Sequence, residues 1–244
     1  MPLTPELPAF ARAALLLDLD GTLLDLAPTP GSVVVPPALP GTLARLRDQL
    51  GGALAVITGR PVEQIDALLP GVVPTVSGEH GGALRASPGA ALTREALADL
   101  PPGMLEAAAR VIAGHPGTLL ERKARGFCVH YRLAAAAGPA VHDAVSALVA
   151  AHSGQFQLLA AHMAWEVRPR GADKGTGVRA IMALPRFAGR LPVFIGDDVT
   201  DEDAMRPARA MGGAGLFVPD VFGSPGAVRD WLARCDGGWA ALRA

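Results

Sequence analysis

Lysine is almost missing from this chain. Only Lys123 and Lys174 occur among 22 basic residues, and every other one is arginine. An ammonium is a compact point charge and a guanidinium a planar fork, so these two positions stand out as places where the fork would not fit. Cysteine is scarce as well. Cys128 and Cys235 lie far apart without metal-ligand spacing, and are expected as buried or incidental thiols in a reducing cytoplasm. Charge of neither sign dominates: the net charge is −1, which excludes a nucleic-acid binder relying on a broad basic surface. No apolar run reaches membrane-spanning length. The N-terminal residues lack the basic stretch and apolar core of a secretory signal, so a cytoplasmic protein without a membrane partner is expected.

What is present is apolar and ordered around one stretch. Half of the 244 residues are hydrophobic, enough for one large domain or two modest ones. Leu15-Leu16-Leu17 reads as a buried parallel strand that ends abruptly in Asp18-Leu19-Asp20-Gly21-Thr22-Leu23. In an open α/β sheet the site lies at the carboxyl ends of the strands. Gly21 lets the chain turn straight after the two carboxylates, so that one can attack while the other handles a proton. A buried pair of this kind repels itself and calls for a cation, which points to Mg²⁺.

The spacing along the chain predicts alternating strands and helices. A helical stripe (Leu39, Leu43, Leu46, Leu50) ends at Gly51-Gly52. Strands follow at Ala53 to Ile57 and Val72 to Val76, with a helix from Val62 to Leu69 between them. This β-α-β-α-β run means a parallel sheet with crossover helices. Residues 83–100 read as irregular or as a short hairpin. The pattern then changes to helix (Met104 to Ala113), hairpin (Thr118 to Lys123 with Phe127 to Leu133), helix (Val141 to Ala151) and hairpin (Gln155 to Ala160 with Met163 to Arg168). These form a separate small α+β unit. The alternation resumes with a helix from Thr176 to Leu184, strands at Pro192 to Ile195 and Gly215 to Val218, and a last helix from Ala227 to Arg234. The expected division is a core of residues 1–98 and 169–244 with residues 99–168 inserted as a cap.

Three strand ends carry functional-looking groups, and in a parallel sheet such ends lie along one edge. Besides Asp18 and Asp20 there are Thr58-Gly59-Arg60 and Gly196-Asp197-Asp198. Thr58 and Gly59 suit a phosphate oxygen, although a plain helix cap has the same residues. Lys174 offers an ammonium to a phosphate or to the Asp18 carboxylate; a solvated lysine is the alternative. Asp197 can complete an oxygen shell on Mg²⁺ with Asp18 and the main-chain carbonyl of Asp20. Asp198, Asp201 and Glu202 either support that shell or simply sit favourably in the first turn of a helix.

The D-x-D-G-T-L, T-G-R, lysine and G-D-D-x-T-D-E set, in this order, resembles the haloacid-dehalogenase-like phosphatase superfamily. The resemblance implies an α/β fold with a Rossmann-like parallel-sheet core, an αββαββ cap of the C2 type, Mg²⁺, and a phospho-aspartyl intermediate. Asp18 would be the nucleophile and Asp20 the acid and base. Ser77-Gly78-Glu79-His80-Gly81-Gly82, Glu121-Arg122-Lys123, Val129-His130-Tyr131-Arg132 and Trp165-Glu166-Val167-Arg168-Pro169 resemble the trehalose-6-phosphate phosphatase branch. That branch implies a sugar-phosphate substrate, with Glu121, Lys123 and Glu166 binding its hydroxyls. A monomer, or functional pairing with a trehalose-6-phosphate synthase, is expected. Glu121 and Lys123 stand two apart on a strand and so share a face, as a hydroxyl-rich ligand or plain solvent exposure would require. The competing readings are a sucrose-phosphate or mannosylglycerate-phosphate phosphatase, a phosphosugar mutase, and a non-catalytic sugar-phosphate sensor.

Overall fold

The computed structural model describes residues 6–161 and 163–242. The chain divides into two compact units, Met1–Glu95 with Asp173–Ala244, and Ala96–Ala172. Among the described residues no helix is long and apolar enough to cross a membrane.

The first unit begins with β1 (Ala13–Leu17), α1 (Leu39–Gln49), β2 (Leu54–Ile57), α2 (Val62–Leu68), β3 (Thr75–Gly78), β4 (Ala83–Arg85) and β5 (Thr93–Arg94). All five residues of β1 are fully buried, as is expected of a strand covered on both faces. Burying each of its leucines contributes about 1.5–3 kcal/mol. The third strand starts later than the apolar run from Val72 predicts. Pro74 has no N–H to give a ladder, so pairing with β2 begins at Thr75, opposite Ala55. β4 and β5 form an antiparallel hairpin that extends the sheet beyond its parallel part.

The second unit contains α3 (Met104–Ala113), β6 (Leu119–Arg122), β7 (Phe127–His130), α4 (Gly138–Ala150), β8 (Phe156–Ala161) and β9 (Ala164–Pro169). Its antiparallel sheet has the order β6-β7-β9-β8. Phe127, Val129, Val167 and Phe156 turn to one face and pack with Met104, Ala108, Val141 and Val145 of the two helices. By alternation, Glu121, Cys128, His130, Glu166 and Arg168 occupy the other face.

The first unit is completed by α5 (Lys174–Met182), β10 (Leu191–Gly196), α6 (Glu202–Ala210), β11 (Ala214–Phe217), α7 (Val218–Val221) and α8 (Pro225–Arg234). The sheet order is β11-β10-β1-β2-β3-β4-β5. Connections run from β1 to β2 and β3 on one side and to β10 and β11 on the other, so the strand order reverses between β1 and β10. That is where an open α/β sheet leaves a crevice. The short α7 follows directly on β11 at Phe217.

Candidate active site

Asp18 follows β1 directly, and its N–H donates to the Ile195 carbonyl of β10 at 2.9 Å. The carboxylate is buried and accepts a hydrogen bond from Lys174 Nζ at 2.6 Å. Lys174 opens α5, whose cap is Asp173: the Thr176 N–H donates to Asp173 Oδ1 at 2.7 Å. The cap starts the helix two residues earlier than the periodicity suggests and turns Lys174 inward. The same ammonium donates to Asp201 Oδ1 at 2.6 Å. Asp201 is fully buried, and its Oδ2 accepts the N–H groups of Asp197 and Asp198, each at 2.9 Å. A Cβ on Gly196 would lie 2.4 Å from the Asp201 Cγ, so the carboxylate can sit over the end of β10 only above glycine.

Asp197 is held from the other strand. Thr22 donates its hydroxyl to Asp197 Oδ1 at 2.9 Å. Gly21, at φ +82°, brings its backbone so close that a Cβ would stand 2.0 Å from Asp197 Oδ2. One oxygen each from Asp18, Asp197 and Asp201 lies within 4.8 Å of the others. Two of these carboxylates hold the Lys174 ammonium, and the third, Asp197, lies close to both. Burial works against the Lys174 charge, but Asp18 and Asp201 outweigh it and hold its pKa above the ordinary lysine value. The excess negative charge falls on the carboxylates. Burial first, then the Asp201 charge, push Asp18 well above the usual carboxylate range, with Lys174 opposing. Asp197 is pushed up to about 6, again by burial, with the Thr22 hydrogen bond opposing and the Asp201 charge adding.

Asp20 stands apart from this cluster. Arg60 grips it with both prongs, Nε to Oδ2 at 2.6 Å and Nη2 to Oδ1 at 2.7 Å. Such a bidentate pair fixes direction as well as distance. Thr58, at the end of β2, is buried; its N–H donates to the Ser77 carbonyl and its hydroxyl oxygen accepts the Arg60 N–H at 3.2 Å. Beside it, His80 approaches so closely that a Cβ on Gly59 would stand 2.4 Å from its Nε2. Glu79 and His80 both have positive φ, at 55° and 53°. Two consecutive non-glycine residues in the left-handed region are costly and persist only where surroundings demand them. Here the Glu79 and His80 N–H groups donate to the Arg60 and Thr58 carbonyls, which ties this loop to the end of β2.

Thus Asp18, Lys174, Asp197 and Asp201 are brought together, with Thr58 and Gly59 at a neighbouring strand end. Asp198 turns away: its carboxylate accepts the Val199 N–H at 2.7 Å and caps the turn at Val199–Asp201. Glu202 is exposed and pairs with Arg209. Arg60 and Thr22 belong to motifs that sequence reading quotes without giving them a task. The signal was present in Arg60, the third residue of T-G-R, but its partner is 40 positions away.

In the second unit Glu121 opposes Cys128 across β6 and β7, and Cys128 opposes Glu166 across β7 and β9. Glu121 Oε2 lies 2.8 Å from His130 Nε2, and Lys123 Nζ lies 3.4 Å from Glu121 Oε1. Burial raises the Glu121 carboxyl, but the His130 hydrogen bond and the Lys123 charge outweigh it, and its pKa is lowered. Burial likewise opposes the Lys123 ammonium, which Glu166 and Glu121 more than restore, raising its pKa.

The fold is that of the haloacid-dehalogenase-like hydrolases, a Rossmann-like core with an inserted α+β unit. One such hydrolase from Bacteroides thetaiotaomicron aligns with a TM-score of 0.57 at 14% identity, over 84% of this chain and 93% of that one. The C-terminal domain of the C. albicans trehalose-6-phosphate phosphatase aligns with a TM-score of 0.77 at 19% identity, over 91% of each chain. Among sequences, a probable trehalose-phosphate phosphatase of Sinorhizobium fredii is 38% identical over 84% of this chain and 77% of that protein. The trehalose-6-phosphate phosphatase of Escherichia coli is 36% identical over 88% and 80%. With residues 16–219 matching the trehalose-phosphatase family as well, the chain belongs to that family.

Proposed function

We propose that this protein hydrolyses trehalose 6-phosphate to trehalose and phosphate by way of an aspartyl phosphate on Asp18. The observation that carries the reading is the Lys174 grip on Asp18 inside a ring of carboxylates at the reversal of strand order. Lys174 fixes the rotation of the Asp18 carboxylate. An oxygen of that carboxylate attacks phosphorus as the bond from phosphorus to the sugar oxygen breaks. Asp20, protonated once the Arg60 fork that here engages both its oxygens lets go, gives that proton to the leaving oxygen. It then takes a proton from the water that cleaves the aspartyl phosphate, which frees phosphate and restores Asp18. An ammonium has three donors and two are engaged, so the third is available to a phosphate oxygen, alongside Thr58 and the Gly59 N–H.

The donor set fits a hard divalent cation. It consists of oxygens, and three carboxylates face the single charge of Lys174, while burial, with the Asp201 charge adding, raises the Asp18 and Asp197 carboxyls. Asp18, Asp197 and the Asp20 main-chain carbonyl would hold Mg²⁺, with Asp201 keeping Lys174 and the Asp197 and Asp198 amides in place. When bound, the ion neutralises charge on the phosphoryl oxygens. On the second unit, Glu121, Lys123 and Glu166 supply hydrogen-bonding groups for the sugar hydroxyls. The test is phosphate release from a panel of sugar phosphates with Mg²⁺ and with excess chelator. Trehalose 6-phosphate should be preferred by at least about tenfold in kcat/KM, a gap worth about 1.4 kcal/mol. Preference for sucrose phosphate or mannosylglycerate phosphate, or full activity in chelator, would overturn the reading.

A further inference from the structure

The second unit holds a cluster of which the proposed hydrolysis uses Glu121 alone, leaving Cys128 and His130 without a task. We propose that Glu121, Cys128 and His130 form a separate site for a thiophilic divalent cation of the Zn²⁺ class. Register puts the three side chains together. Glu121 pairs directly with Cys128 across β6 and β7, and His130 lies two residues further along β7, on the same face. A carboxylate oxygen, the Cys128 sulfur and an imidazole nitrogen lie within 4.8 Å of one another. In a tetrahedral zinc site, with bonds of about 2.0–2.3 Å, ligand atoms stand about 3.5 Å apart. Rotations of about 1 Å at the side-chain ends close that gap. Three protein ligands leave a fourth position for water, as in zinc sites that keep an open coordination place.

The ligand types select the cation. The aspartate cluster of the first unit offers oxygen alone and suits Mg²⁺, whereas sulfur and imidazole favour zinc and its neighbours. Burial and the Glu166 charge push the Cys128 thiol up, so it keeps its proton until a sulfur–metal bond forms and that proton passes to solvent. Thiolate and Glu121 carboxylate together balance a divalent ion. Lys123 then gives up Glu121 and retains the Glu166 charge as its partner. Cys128 is thus more than a filler of the sheet, since both groups it needs as co-ligands are at hand.

A bound ion occupies Glu121, one of the groups proposed for the sugar. Zn²⁺ should therefore inhibit turnover even when Mg²⁺ is in excess. This second half rests on the proposed substrate; the binding half does not.

The experiment uses the purified, metal-stripped full chain with excess Mg²⁺ and Co²⁺ as the probe. One equivalent of Co²⁺ should give a thiolate-to-cobalt charge-transfer band that Zn²⁺ abolishes. Cys235→Ser should keep the band and Cys128→Ser should lose it. His130→Gln, which leaves the thiol in place, should weaken Co²⁺ at least tenfold and keeps the test decisive should Cys128→Ser fail to fold. No band, a band that survives Cys128→Ser, or undiminished affinity in His130→Gln overturns the site. Zn²⁺ should slow hydrolysis of trehalose 6-phosphate in the native chain and much less in Cys128→Ser. Equal sensitivity of the two overturns the inhibition while the band still decides the site. A chain that does not hydrolyse this substrate even without zinc refutes the proposed function and leaves the cobalt result standing.

Discussion

At the scale of single residues the protein concentrates like charge where it is hardest to solvate. Asp18→Asn should abolish turnover of trehalose 6-phosphate, because an amide is a poor nucleophile. The same change removes a buried charge that burial and Asp201 already disfavour. In chelator the variant should therefore melt at or above the native temperature in calorimetry. Asp201→Ala should behave in the opposite way. It strips Lys174 of one partner and leaves two buried N–H groups without an acceptor. Lys174 keeps Asp18, so the cost should fall at the low end for a broken buried pair, about 3 kcal/mol by urea denaturation. Asp197 gives a pH signature. Its folded pKa of about 6 exceeds its unfolded value, so the folded state binds more protons in between. That contribution is present below the unfolded pKa and is lost as pH rises through about 6. In chelator, Asp197→Asn should gain stability relative to the native chain from about pH 4 to about pH 6 and hold that gain above it. A constant difference across that range would show that Asp197 is not the group responsible.

At the scale of elements, close backbone approach decides more than helix propensity does. Gly175, in the first turn of α5, leaves room for the start of α6: a Cβ there would stand 2.2 Å from the Asp203 carbonyl oxygen. Alanine in a helix is worth about 1 kcal/mol over glycine. Overpacking against a backbone carbonyl costs about 1–3 kcal/mol, and backbone cannot swing aside as a flexible side chain does. Gly175→Ala should thus lower the melting temperature. It should also reduce kcat about tenfold or more, because α5 carries Lys174 next door. A stabilised, fully active variant would show that the two helices can separate without cost. Element positions were legible in the sequence where apolar period and punctuation agreed, as in β1, α1 and α3. They were not where one residue overrides the pattern: Pro74 delays β3, and the Asp173 cap advances α5 to Lys174.

At the scale of the molecule, two hydrophobic cores underlie two units, each with its own set of polar groups. The phosphoryl group is common to all sugar phosphates, so discrimination must come from groups that read the sugar. Glu121→Ala and Glu166→Ala should each reduce kcat/KM for trehalose 6-phosphate about ten- to hundredfold, the worth of one hydrogen bond to a charged group. Hydrolysis of p-nitrophenyl phosphate, which has no sugar to read, should scarcely change. Equal losses on both substrates would assign these residues to the fold of their unit instead.

The sequence by itself determined the chemistry available and much of its address. Apolar runs ending in Asp18 and Asp20, in Thr58-Gly59 and in Gly196-Asp197 declare strand ends, because a strand buried on both faces admits little else before it. The two lysines declare themselves against a background of arginine. Which groups meet was decided only by tertiary structure. Asp201 rather than Asp198 enters the cluster, Arg60 takes Asp20, and Cys128 falls between Glu121 and Glu166. The physical reason is distance along the chain: Lys174 is 156 positions from Asp18. Hydrogen bonds reach about 3 Å and depend on direction, so strand order, register and the close approaches at Gly21 and Gly196 choose among partners that composition leaves equivalent.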